Sequence, residues 1–147
     1  MPTPDLCNCL AIRKAARHVT QFYDRRLAPT GLTTPQFSIL ARLRRRGPST
    51  INELAEELVM DRTTLGRNLR PLERDGLLAI AADPADRRRR ALAVTPEGQA
   101  RLGQAAPLWA AAQRDFADRF GQEAAVALRT TLASLVATNL TGPRPAA

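Results

Sequence analysis

This 147-residue sequence predicts a mainly α-helical fold with one small β-hairpin. Three observations predict it. Between Thr50 and Gly76, two short capped helices follow one another across a tight turn. After Gly76, two short apolar runs, Leu78 to Ala81 and Ala91 to Val94, flank the segment DPADRRRR. Long amphipathic stripes occupy both ends of the chain. Helix, turn, helix and hairpin in that order describe a winged helix-turn-helix, and the terminal stripes describe helices that flank it.

The elements follow in chain order. A loose tail, Met1 to Asp5, precedes a first helix over about Leu6 to Leu27, where Ile12, Ala16, Val19, Tyr23 and Leu27 share a stripe. Ala28-Pro29-Thr30-Gly31 is a turn with two punctuators. Thr33 or Thr34 caps a second helix with Pro35 in its first turn. Phe37, Leu40, Ala41 and Leu43 form its buried face, and Gly47-Pro48 stops it. Thr50 with Glu53 makes a capping box for a third helix, whose Ile51, Leu54, Ala55 and Leu58 lie at helical spacing. Asp61 caps the next helix, Leu65, Leu69 and Leu72 line its inner face, and Gly76 ends it. Thr95-Pro96-Glu97 starts a helix that runs to about Phe120, with Pro107 expected to kink or interrupt it. Gly121 separates a last helix over about Gln122 to Leu140, striped by Ala125, Leu128, Leu132, Leu135 and Val136. The tail TGPRPAA is expected to fray.

The helix after Asp61 has a second face. Arg62, Thr63, Thr64, Gly66, Arg67, Asn68 and Arg70 point away from the leucine stripe. A major groove admits a helix, and arginine and asparagine have the forked geometry that reads guanine and adenine there. A solvated face on a helical hairpin is the plain alternative. The hairpin that follows counts against it. Asp83, Pro84 and Asp86 are turn formers, and Arg87, Arg88, Arg89 and Arg90 repel one another at the tip, so that it is expected to be mobile without a polyanion. Arginine entering a narrow minor groove is a known route to shape-dependent DNA binding.

Composition agrees. The formal net charge is +8, and every one of the 22 basic residues except Lys14 is arginine, whose planar fork suits phosphate and base edges. A GC-rich genome would also favour arginine. No apolar run is long enough to cross a bilayer, no signal-peptide pattern opens the chain, and no helix sets a basic face against a bulky apolar one. The expectation is a cytoplasmic protein without a membrane partner. A phosphate-cradling glycine loop, a metal-ligand cluster and a nucleophile–base arrangement are all missing from the sequence, so neither an enzyme nor a cofactor is expected. The terminal helices need a partner surface, which a second copy of the chain supplies most economically. A two-fold dimer would also present two reading helices to successive major grooves, roughly 34–36 Å apart. A packing protein indifferent to sequence is the competing reading of the same charge.

The stretches RHVTQFYDRRLAPTGLTTPQFSIL, LERDGLL and DPADRRRRALAVTPEG resemble the MarR family of winged-helix repressors, over nearly the whole chain. Asp86, Arg88, Thr95 and Gly98 are the most specific part of that likeness. The resemblance implies a single domain, 1–147, with a DNA-binding lobe over 33–98 and dimerisation helices over 6–28 and 96–140. It implies a homodimer on a palindrome of double-stranded DNA, with Arg88 in the minor groove braced by a salt bridge from Asp86. The recognition helix becomes Asp61 to Asp75, with Thr63, Thr64, Arg67 and Asn68 facing the bases. Release by a small phenolic or lipophilic molecule is also implied; Tyr23, Phe37 and Trp109 are the candidate pocket, with aromatic core as the plain alternative for Phe37, Trp109 and Phe116.

Cys7 and Cys9 are the only cysteines, and neither their spacing nor His18 supports a zinc site within one chain. By the same resemblance, Cys9 falls where the peroxide-sensing branch of the family keeps its reactive thiol, and Tyr23 matches a supporting tyrosine. Arg13 and Phe37 stand where the branch keeps its other tyrosines. Arg13, one turn on, places a cation near that thiol. Cys7 and Cys9 are therefore candidate redox sensors. A thiol with no sensing role is the alternative. His18 is expected as a polar interface residue.

Overall fold

A computed structural model describes residues 3–142. Among the described residues, six α-helices and three strands follow one another: α1 Asn8–Leu27, α2 Thr34–Arg46, β1 Ser49–Thr50, α3 Ile51–Glu57, α4 Arg62–Arg74, β2 Leu78–Ala82, β3 Arg90–Val94, α5 Pro96–Phe120 and α6 Gln122–Ala137. They form two compact units that divide between Trp109 and Ala110.

The first unit carries the sheet and the helix-turn-helix. Local chemistry starts each helix. Thr33 and Gln36 form a capping box on α2, as do Thr50 and Glu53 on α3, while the Asp61 carboxylate accepts the Thr64 N–H at the start of α4. Asp24 of α1 accepts both the N–H and the hydroxyl of Thr34, at 2.7 and 2.6 Å, which ties α1 to the start of α2. Arg42 and Arg46 of α2 both pair with Glu57 of α3, the latter at 2.9 Å. The core is leucine-rich: Leu27, Leu40, Leu54, Leu65 and Leu92 are fully buried, with Ile39 beside them.

The antiparallel sheet has the order β1-β3-β2. Leu78 pairs with Val94 and Ala82 with Arg90, while Ser49 and Thr50 pair with Leu92 and Ala91. The two-residue β1 is an addition to the expected hairpin. It joins the segment just before α3 to the returning strand of the wing.

Several boundaries differ from expectation. α1 starts at Asn8 rather than Leu6, because Cys7 is extended and caps it; Pro4–Leu6 form a separate 3₁₀ turn, so Pro4 and Asp5 are not loose. Ala41 is half-buried, and Ile39 is the more deeply buried residue of α2. Pro107 does not interrupt α5, which is held on either side of it by Leu102, Ala105 and Leu108 packing on the core. α6 ends at Ala137, where Thr138 turns extended, three residues before Leu140. Of the tail TGPRPAA, residues 143–147 lie outside the described residues.

The second unit comprises the end of α5 and all of α6, separated at Gly121, whose φ of 102° favours glycine. Phe116 and Phe120 lie 5.6 Å apart on α5. Val126, Leu132 and Val136 of α6 are exposed.

Candidate nucleic-acid interface

α3 and α4 meet across a turn in which Val59 has a φ of 52°. Val59 N–H bonds the Glu56 carbonyl and Met60 N–H bonds the Ala55 carbonyl, at 3.2 and 2.9 Å, which closes α3 in a Schellman motif. α4 ends the same way, with Gly76 on Glu73 and Leu77 on Leu72 at 3.0 and 2.8 Å. A β-branched residue in the left-handed region is strained, so propensity did not reveal Val59.

Leu65, Leu69 and Leu72 bury the inner face of α4. Its outer face presents Arg62, Thr63, Thr64, Arg67 and Arg70, all exposed, with Asn68 half-buried. Two of these side chains are already engaged. The Thr64 hydroxyl donates to Asp61 at 2.7 Å, and Asn68 Nδ2 donates to the Thr64 carbonyl at 3.0 Å. Thr64 thus offers acceptor lone pairs, and Asn68 offers its Oδ1. Bonds from the Thr64 hydroxyl and N–H hold the Asp61 carboxyl below its ordinary value, so it stays an anionic cap. Pro71 lies inside α4 and lacks the N–H that would bond the Arg67 carbonyl.

The wing rises beside α4 in the same unit. Its tip is more ordered than arginine repulsion suggests. Asp83 N–H bonds the Arg89 carbonyl at 2.7 Å and Arg89 N–H bonds the Asp86 carbonyl at 2.9 Å. Asp83 Oδ1 accepts from Ala85 N–H at 2.9 Å. Asp86 Oδ1 accepts from the Arg88 backbone N–H at 3.0 Å; this contact, rather than a salt bridge to the guanidinium, is how Asp86 braces Arg88 here. Arg87, Arg88 and Arg90 are exposed.

Arg89 behaves differently. Its guanidinium pairs with Glu53 Oε1 of α3 at 2.7 Å. Glu53 Oε2 accepts the Thr50 N–H at 2.9 Å. The backbone bond from Thr50 and the bond from Arg89 hold the Glu53 carboxyl down at about 2. The sequence reading missed Glu53 as part of the interface, because only the folded hairpin brings it to Arg89.

The wing base is fixed by the residues of the DPADRRRRALAVTPEG segment. The Thr95 hydroxyl donates to the Gly76 carbonyl at 2.6 Å and accepts the Gly98 N–H at 3.0 Å. A methyl group at Gly98 would collide with the Leu77 carbonyl, so only glycine lets α5 start this close to the strand.

Of the candidate pocket residues, Phe37 and Trp109 come together, stacked at 5.8 Å. They line two shallow clefts of about 320 and 380 Å³, both edged by Arg45. Tyr23 lines neither; it is buried on α1, edge-on to Phe22 at 5.3 Å. Cys7 and Cys9 are free and exposed, and Cys7 Sγ accepts the Leu10 N–H at 3.4 Å. His18 is exposed on α1. Among the described residues, no group of three or more His, Cys, Asp or Glu could hold a metal ion, and no helix is long and apolar enough to cross a membrane.

Comparison with known proteins places this geometry. The MarR family model matches residues 30–89. The repressor NicR of Pseudomonas putida is 31% identical over 65% of this chain, and the match spans 61% of NicR, under two thirds of its length. The transcriptional regulator HosA of Escherichia coli is 32% identical over 63% of this chain and 68% of its own. Among solved structures, the M. tuberculosis transcriptional regulator MosR in complex with DNA is 40% identical over 88% of this chain and 93% of its own, with a TM-score of 0.78. These relatives are transcriptional regulators.

Proposed function

This chain belongs to the MarR family, and we propose that it is a sequence-specific DNA-binding transcriptional regulator that represses from a palindromic operator as a homodimer. A single observation carries the reading: the exposed Arg62–Arg70 face of α4 and the arginine tip of the wing belong to one compact unit, on adjacent elements. A helix and a basic finger side by side suit a major groove and the minor groove next to it. The DNA complex of MosR, at 40% identity, supports carrying the same use to this chain.

The stretches 6–28 and 96–140 serve dimerisation in this reading. Residues 8–18 of α1 are exposed throughout, and so are Leu132 and Val136 of α6, leaving apolar surface for a second copy to cover. The effector is a small phenolic or lipophilic molecule in the Phe37–Trp109 cleft. The protein works in the cytoplasm and carries no catalytic activity.

Selection of bound duplexes from a random pool tests this. The expected product is a palindrome with half-sites about one helical turn apart. Arg67→Ala should then cost about 1–3 kcal/mol and relax base preference at one position of each half-site. Binding that bulk DNA competes away as well as the selected site would instead make this a general packing protein.

Cys7 favours a second route of release. It caps α1 through its sulfur, and Cys9 lies two residues on, so oxidation of either thiol alters the start of a dimerisation helix. A gel-shift titration with peroxide, on the unaltered chain and on Cys9→Ser, checks it. Oxidant-independent binding by the unaltered chain rules it out.

A further inference from the structure

The four arginines of the wing do not share one role. We propose that Arg89 is a positioning residue, latched to Glu53 of α3, and that this latch sets the direction in which Arg88 leaves the wing; the inference rests on the DNA-binding reading above.

Three observations converge on it. The latch spans 36 residues of sequence and closes at 2.7 Å. It sits where the sheet ends: Thr50 pairs with Ala91, Glu53 lies one turn into α3, and Arg89 stands two residues before Ala91. β1 holds β3 at Leu92 and Ala91, the β2–β3 pairing ends at Ala82 and Arg90, and the tip follows, so the latch carries the fixed part of the wing to the residue next to Arg88. The backbone of Arg89 is also pinned, by Asp83 and Asp86. Glu53 meanwhile is fixed by its capping bond to Thr50, so Arg89, its backbone held, meets an acceptor that is already held in place. The bonds from Thr50 and Arg89 keep Glu53 ionised well below neutral pH.

The pairing also has an electrostatic consequence. A guanidinium neutralised by Glu53 releases no counterion when DNA arrives, whereas an unpaired one on a phosphate does. Salt dependence therefore separates a positioning arginine from a contacting one.

The experiment measures affinity against salt concentration on a random-sequence duplex and on the selected operator. On the random duplex, Arg88→Ala should flatten the log–log slope by about one. Arg89→Ala should leave that slope unchanged while weakening operator binding about tenfold, and Arg89→Lys should restore most of that loss. Glu53→Gln keeps the cap, because glutamine also accepts from Thr50, but releases Arg89; its slope should steepen by about one. A flattened slope for Arg89→Ala, matching that of Arg88→Ala, overturns the proposal. A carboxylate NMR titration reads the latch without DNA. The Glu53 midpoint should rise in Arg89→Ala, and an unmoved midpoint overturns the latch itself. Failure of the unaltered chain to bind either duplex, with that midpoint shifting as expected, overturns the DNA-binding reading and not the latch.

Discussion

Glu53 uses one carboxylate for two purposes, with one oxygen on the cap of α3 and the other on the wing. Its folded-state value of about 2 lies below the ordinary 4.5, so the ionised form stabilises the fold. That contribution is fully present above about pH 4.5 and is lost as pH falls towards 2. Asp61 is shifted in the same direction by its bonds from Thr64 and adds to the same acid limb. Thermal melts of the unaltered chain between pH 5 and pH 2 should therefore show a steep decline, and Glu53→Gln should show a shallower one. Caps of this kind were legible in the sequence because donor and acceptor lie three residues apart. The partner of Arg89 was not, because 36 residues of intervening chain must fold before the two meet.

At the scale of elements, the helix starts, the glycine stop after α4 and both wing strands were readable from periodicity and turn chemistry. What was unreadable depends on tertiary contact. β1 is two residues long and exists only because β3 lies beside it. Pro107 keeps its helix because packing outweighs one missing backbone bond. Val59 closes α3 against its own preference. Val59→Gly should accordingly stabilise the protein by about 0.5–1 kcal/mol in urea unfolding, the relief of backbone strain being partly offset by added freedom in the unfolded chain. The side chain loses little, since it is 70% exposed. Gly98→Ala should act in the opposite sense. Its methyl would meet the Leu77 carbonyl at the wing base, and displacing that backbone should cost about 1–3 kcal/mol, read as a lower urea midpoint.

For the whole molecule, the sequence pattern implied more apolar surface than one copy buries. The stripe through Leu132 and Val136 is regular, yet Val136 is 66% exposed in a single chain. A polar substitution there should not disturb the fold of the monomer. Val136→Arg should therefore leave the helical content unchanged, shift sedimentation from twice the chain mass towards one, and weaken operator binding as the two half-sites cease to be read together. An unchanged sedimentation coefficient would overturn Val136 as a contact between two copies. The need for a covering surface was legible in the sequence, but what covers it was not, because that depends on how complete folded surfaces fit together.

The stack of Phe37 on Trp109 involves the chain's single tryptophan, and its indole is 37% exposed at the edge of the clefts beside Arg45. All indole fluorescence of the protein therefore originates at that spot. Any aromatic molecule that wedges between or against the two rings should quench or shift the emission in proportion to occupancy, so ligands of this cleft can be screened with unlabelled protein in a cuvette.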